Sequence, residues 1–138
     1  MYLLDTNVVS ELMRPRPHSA VVSWLDVRSA AELWVSAVTV ADIWLGIQLI
    51  SDAGRRAQLA EAVEAVFEDD FEDRCLPFDA LAAVHYAAIV SHRTASGRPI
   101  SVEEAQIAAI ARSCDLTVVT RNMRDFAGTA VGLVNPFE

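Results

Sequence analysis

The side chains best suited to chemistry in this sequence are carboxylates and amides placed where one element hands over to the next. Asp5 ends the short apolar run Tyr2–Leu4, and Asn122 and Asp125 follow Leu116–Thr120 in Thr120-Arg121-Asn122-Met123-Arg124-Asp125-Phe126. Asp42 and Glu104 each fall in the first turn of a predicted helix. Carboxylates gathered from several strand and helix ends onto one edge are what a hard, oxygen-seeking ion such as Mg2+ or Mn2+ requires. Such an ion activates water and neutralises a phosphate during in-line displacement. Spacing alone therefore supports an acidic metal site and goes no further.

Each residue also has a plainer role. Asp5 suits the N-cap of the helix after it. Asp42 stands three residues after Thr39, and Glu104 three after Ser101, which are capping-box spacings. For Glu104 the two readings stay open. Asp42 is more telling, because its helix carries apolar residues nearly all round, including Ala41, Leu45 and Leu49 away from the Ile43/Trp44/Ile47 face. A helix buried that widely holds a carboxylate only if it is paired or metal-bound. Asp125 alone could be a turn residue, and Asp79 reads as an N-cap. His85 and His92 share a helix without a third ligand, and Trp24, Trp34 and Trp44 read as core. No Gly-rich phosphate loop, Gly-x-Ser-x-Gly elbow or His-Glu-x-x-His run is present.

Strands are predicted over 2–4, 33–36, 75–78, 116–120 and 131–134. Helices are predicted over 8–13, 18–30, 39–50, 54–68, from Asp79 to about Thr94, and from Ser101 to about Ser113. Short β-branched apolar runs alternating with amphipathic helices predict a three-layer α/β/α fold around a mostly parallel five-stranded sheet. In such sheets ligands bind at the carboxyl ends of the strands, near the topological switch point. Asp5 and the Thr120–Asp125 segment occupy such ends.

The bulk properties set limits. A chain of 138 residues, 53% hydrophobic with mean hydropathy +0.28, suits a single domain over 1–138 with one sizeable core and excludes global disorder. The richest apolar stretch, Trp34 to Ile50, is interrupted by Ser36, Thr39, Asp42 and Gln48, so no membrane span is expected. The N-terminus lacks a basic region and a signal-like apolar segment. Cys75 and Cys114 have no metal-ligand spacing and read as small buried residues in a reducing, cytoplasmic protein. The net charge of −8 argues against a nucleic-acid partner at first sight, but carboxylates that hold a cation present positive charge to phosphate. All eleven basic residues are Arg.

Three segments, Leu4-Asp5-Thr6-Asn7-Val8-Val9-Ser10-Glu11, Ser36-Ala37-Val38-Thr39-Val40-Ala41-Asp42-Ile43-Trp44-Leu45-Gly46-Ile47 and Thr120-Arg121-Asn122-Met123-Arg124-Asp125-Phe126, with the ending Val134-Asn135-Pro136-Phe137, resemble the PIN-domain toxins of the VapC/FitB type. The resemblance runs through essentially the whole chain. It implies a PIN domain with parallel strands, a homodimer, Mg2+- or Mn2+-dependent cleavage of RNA, and a small DNA-binding antitoxin whose tail fills the active groove. By position, Asp5 matches the first metal carboxylate of the family. Asp42 takes the second place, where Glu is usual, and Glu104 the third, where Asp is usual. The fourth place falls in Thr120-Arg121-Asn122, filled by Asn122 or by the following Asp125. Thr6, Asn7, Thr120 and Asn122 are implied to orient the ligands.

Competing readings fare less well. A phosphatase of the haloacid-dehalogenase type needs a second Asp where Asn7 stands. That class and the response-regulator receivers also need a Lys, which this chain lacks. The alternative that stays open is a non-catalytic PIN-like module, its altered carboxylates holding metal poorly while it binds antitoxin or RNA.

Overall fold

The computed structural model describes all residues, Met1–Glu138. The chain runs β1 (Tyr2–Leu4), α1 (Thr6–Leu12), α2 (Ser19–Asp26), β2 (Leu33–Ser36), α3 (Ala37–Gln48), α4 (Ala53–Ala65), β3 (Cys75–Leu76), α5 (Ala80–Ala95), α6 (Val102–Ser113), β4 (Thr117–Val119), α7 (Met123–Phe126) and β5 (Leu133–Val134). The strands form one sheet in the order β3-β2-β1-β4-β5, and every pairing is parallel. The expected mostly parallel sheet is thus parallel throughout.

Alternation along β1 divides the core, since successive strand residues face opposite sides of a sheet. Leu3 joins a cluster with Ala82 and Ile89 of α5 and Ile107, Ala108 and Ile110 of α6. Leu4 joins Val8 and Val9 of α1, Val21 of α2, Ile43 and Ile47 of α3 and Val63 of α4. Helices therefore cover both faces, which is why the strands read as short continuous apolar runs. From β1 the chain winds outward through β2 and β3, then returns to the other side of β1 for β4 and β5. The switch point lies between β1 and β4, at the carboxyl end where Asp5 follows Leu4.

Several sequence expectations need correction. The helix predicted from Thr39 begins at Ala37, with Ser36 as N-cap accepting the Thr39 amide N–H (3.2 Å). Asp42 is therefore beyond the first turn, and its capping-box spacing to Thr39 has no capping role. Nor is α3 buried all round: Leu45 is 59% and Leu49 75% exposed, and only Thr39, Ile43 and Ile47 are buried along it. Its apolar residues exceed the one face that the neighbouring helices cover. Cys75 and Cys114 are exposed, because one lies on the two-residue edge strand β3 and the other just past the end of α6. The three tryptophans, expected in the core, are half-buried and pack against its two clusters. Trp24 meets Tyr2 edge-on (4.9 Å) with the Arg28 guanidinium over its ring (3.5 Å). The helix predicted to Ala30 ends at Asp26, and that predicted to Glu68 passes at Val66 into a π turn ending at Asp70.

Candidate active site

Asp5 sits at the switch point and is 5% exposed. Its backbone N–H donates to Val119 O (2.9 Å), which locks it against β4. Its Oδ1 accepts the Thr6 N–H (2.8 Å), so it is indeed the N-cap of α1. Its Oδ2 accepts from Thr120 Oγ1 (2.8 Å) and Asn7 Nδ2 (3.2 Å). The capping and site readings therefore coexist in one residue. Thr120 Oγ1 in turn accepts the Asn122 N–H (2.9 Å), and Asn7 Oδ1 accepts the Arg121 N–H (3.2 Å), so the Thr120–Asn122 turn is pinned to the same carboxylate.

Asp42 reaches the site from α3 through hydroxyls. Thr6 Oγ1 donates to Asp42 Oδ2 (3.2 Å) and lies 3.0 Å from the buried Thr39 Oγ1, to which Ser36 Oγ donates (3.5 Å). Since Thr6 gives its proton to Asp42, Thr39 gives its own to Thr6, and the chain of hydroxyls has one direction. Glu104 is held by the α6 cap: Ser101 Oγ accepts the Glu104 N–H (3.2 Å) and donates to Glu104 Oε1 (2.7 Å). Here too the cap and the site use the same residue.

Asp5, Thr6, Asn7, Asp42, Glu104 and Asn122 line one cleft of about 270 Å³, joined by Glu103 and Ile107. Thr120 stands behind it as a support for Asp5. Asp125 has an exposed position on α7 and borders the cleft by its charge rather than lining it. Sequence reasoning missed Glu103, Ile107 and Thr39. Glu103 and Ile107 are four apart on α6 and share its face, which was the available signal. Thr39 carried none, because its role depends on a neighbour in α1.

The electrostatics are one-sided. Burial pushes the Asp5 carboxyl above its ordinary value, against the bonds from Thr120 and Thr6, and the charges of Asp42 and Asp125 push it further. Burial also raises Asp42, opposed by the Thr6 bond and assisted by Glu103. Glu104 is raised by burial, opposed by Ser101, with Asp125 and Asp5 adding repulsion. No cation answers them: the molecule's one ion pair joins Arg14 to Glu11 (3.4 Å). An all-oxygen cluster of unpaired negative charge fits a hard divalent ion. No three His, Cys, Asp or Glu side chains are arranged to hold an ion directly between them. The fit is thus to an ion that binds one or two carboxylates and keeps several waters, as Mg2+ does.

The chain resembles known proteins along nearly its whole length. The PIN domain model matches residues 2–131. The toxin FitB of Neisseria gonorrhoeae is 39% identical over 137 residues, covering 99% of both chains. The VapC ribonuclease Y4jK of Sinorhizobium fredii is 33% identical over 138 residues, covering 100% of this chain and 99% of its own. Among solved structures, FitAB bound to an IR36 DNA fragment superposes with a TM-score of 0.93 at 38% identity, over 100% of this chain and 96% of that one. The fold, the acidic cleft at its switch point and these likenesses agree, and the chain belongs to the PIN-domain family, alongside the FitB and VapC toxins.

Proposed function

We propose that this chain is the toxin of a type II toxin–antitoxin pair, an endoribonuclease that hydrolyses RNA phosphodiester bonds at the acidic cleft with Mg2+ or Mn2+. The observation that carries the reading is the convergence of Asp5, Asp42 and Glu104 on one cleft with no cation to neutralise them. One or two of those three would hold the ion directly and the rest through its waters, and when bound it would supply an activated water and positive charge toward the scissile phosphate. The protein's own contribution is placement. Thr120, Thr6 and Asn7 fix both oxygens of Asp5, the hydroxyl chain from Ser36 aims Asp42, and Ser101 turns Glu104 inward. Groups pre-positioned in this way cost no reorganisation when charge develops.

The partner this reading calls for is a small DNA-binding antitoxin. A basic side chain from it, best an Arg that can grip carboxylates in pairs, would neutralise the cleft and exclude the cation. A homodimer fits the exposed Leu45 of α3, Leu49 at its C-cap, and Leu81 and Val84 of α5. No helix is long and apolar enough to cross a membrane. The test is inducible expression in a bacterial host. Growth arrest with loss of intact RNA is expected from the natural chain and none from Asp5→Asn at equal folded abundance. Arrest that persists with Asp5→Asn contradicts the reading in favour of a non-catalytic binding module.

A further inference from the structure

Arg93, in the last turn of α5, is the one buried cation of the molecule, 5% exposed, and no carboxylate lies within ion-pair distance of it. A buried charge without a counter-ion is costly unless its donors are all taken up. Here they go to backbone carbonyls of two separate segments. Nε donates to Arg98 O (2.5 Å) and one terminal nitrogen to Pro99 O (3.3 Å), both in the loop that leads into α6. The other terminal nitrogen donates to Asp125 O (2.8 Å) and Ala127 O (2.9 Å), at the end of α7. The first segment delivers Ser101 and Glu104 to the cleft, and the second carries Asp125.

The second segment does not hold itself in place. Helix α7 has four residues, too few for a helix to be stable by its own hydrogen bonds. Its last carbonyls are instead taken by Arg93 and by Thr129 Oγ1, which donates to Phe126 O (2.6 Å). Gly128 then turns the chain with φ +75°, and a Cβ built there would touch the Arg93 side chain at 3.8 Å. A cation at a helix C-terminus also opposes the partial negative charge of the exposed carbonyls. The planar guanidinium alone among side chains offers five donors in a fixed fork, which is what four carbonyls from two directions require.

We infer that Arg93 is a positioning residue for the acidic cleft, a clamp that sets the separation of Glu104 from Asp125 by holding both their segments to the end of α5. The inference rests on the proposed metal-dependent nuclease activity. Without the clamp the two carboxylates are free to spread apart, so affinity for the ion and the rate at saturating ion should fall while RNA binding persists. The variants are Arg93→Lys, which keeps charge without the fork, and Arg93→Gln, which keeps a planar donor on a shorter stem without charge. Ile89→Val, on the same helix but in the core under β1, controls for destabilisation alone. Mn2+ affinity by calorimetry, kcat and KM on single-stranded RNA, and amide hydrogen exchange are measured well below each melting temperature.

Both Arg93 variants should lose about tenfold in Mn2+ affinity and in kcat, the usual effect of removing a ligand's support. KM should stay within about twofold, and exchange should quicken at 101–104 and 123–127 together. Ile89→Val should show none of these changes. Unaltered affinity and kcat in a folded Arg93→Lys protein, with only a lower melting temperature, overturns the inference. So does an equal loss in Ile89→Val. If the natural chain neither binds Mn2+ nor cuts RNA, the nuclease reading is what fails. The exchange pattern then still decides the clamp, which is refuted if only one of the two segments loosens.

Discussion

Leu4 and Asp5 are consecutive residues that border two different cavities, and the two differ in almost every respect. The larger, about 550 Å³, is walled by Leu4, Leu12, Leu25, Leu33, Val66 and Phe71. Its charged lining is Asp69, Asp70 and Arg74, and here a cation is present and tied down: Arg74 donates from Nε to Leu33 O (2.9 Å) and from a terminal nitrogen to Asp70 O. The smaller, about 270 Å³, collects carboxylates, hydroxyls and amides and has no cation in its wall. Size is thus a poor guide to where the chemistry is. The first cavity is bordered by side chains whose burial stabilises the fold. The second keeps charges whose burial opposes it, and such strain is retained where function needs it.

If that contrast is right, the two regions should answer mutation in opposite ways. The largest effect expected is in the acidic cleft. Asp5→Asn should reduce RNA cleavage by the purified protein to assay background, because the amide cannot hold a cation as a carboxylate does. Stability should fall by no more than about 3 kcal/mol, since the amide keeps the cap to Thr6 and removes the burial and repulsion of the charge but no longer accepts from Thr120 and Asn7. Next is the apolar cavity. Phe71→Ala should cost about 3–5 kcal/mol in denaturant unfolding and leave cleavage per folded molecule unchanged. Equal loss of activity in the two variants would erase the contrast.

A smaller effect sharpens it. Against the family's usual order, Asp42 is short by one methylene and Glu104 long by one, a reach of about 1.3 Å each. The separation of these carboxylates fits the lack of a ready three-ligand arrangement. The double variant Asp42→Glu with Glu104→Asp should bind Mn2+ more tightly and cleave faster by about tenfold. The gain should exceed the sum of the single changes, because the two side chains line the same cleft. A natural chain that already matches the double variant shows that the cleft has adapted to its own residues.

The smallest effect is on pH. Asp5, Asp42 and Glu104 are all raised, so the folded metal-free chain holds protons that the unfolded chain has released. Their contribution to stability is greatest below the unfolded values and is lost as pH rises through the raised ones. The melting temperature without metal should therefore rise as pH is lowered from neutral toward the carboxyl range. Asp5→Asn should flatten that slope, and a slope unchanged by the substitution would contradict the assignment.

The layers, the parallel sheet and the place of Asp5 were legible from the sequence, because short apolar runs and helical periodicity follow directly from burial on both faces of a sheet. Asp42 was singled out for a mistaken reason: its helix is apolar on more sides than the fold covers, as Leu45 and Leu49 show. Glu104 could not be resolved between cap and cleft residue because it bonds to the Ser101 cap and also lines the cleft. The hydroxyl chain from Ser36 through Thr39 and Thr6 was invisible, since it joins residues 33 positions apart that only packing brings together. The same holds for Arg93, whose four carbonyl partners carry no signature in side-chain type.

The central claim is that the acidic cleft works only as the seat of a divalent cation. The direct test is the initial rate of single-stranded RNA cleavage by the chelator-stripped protein as Mg2+ and then Mn2+ are titrated back, with Asp5→Asn carried through the same purification. No cleavage without metal, a saturable rise on adding it, and none at any concentration with Asp5→Asn are the predicted results. Cleavage by the stripped protein at its full rate, or by Asp5→Asn at the rate of the natural chain, would contradict the account.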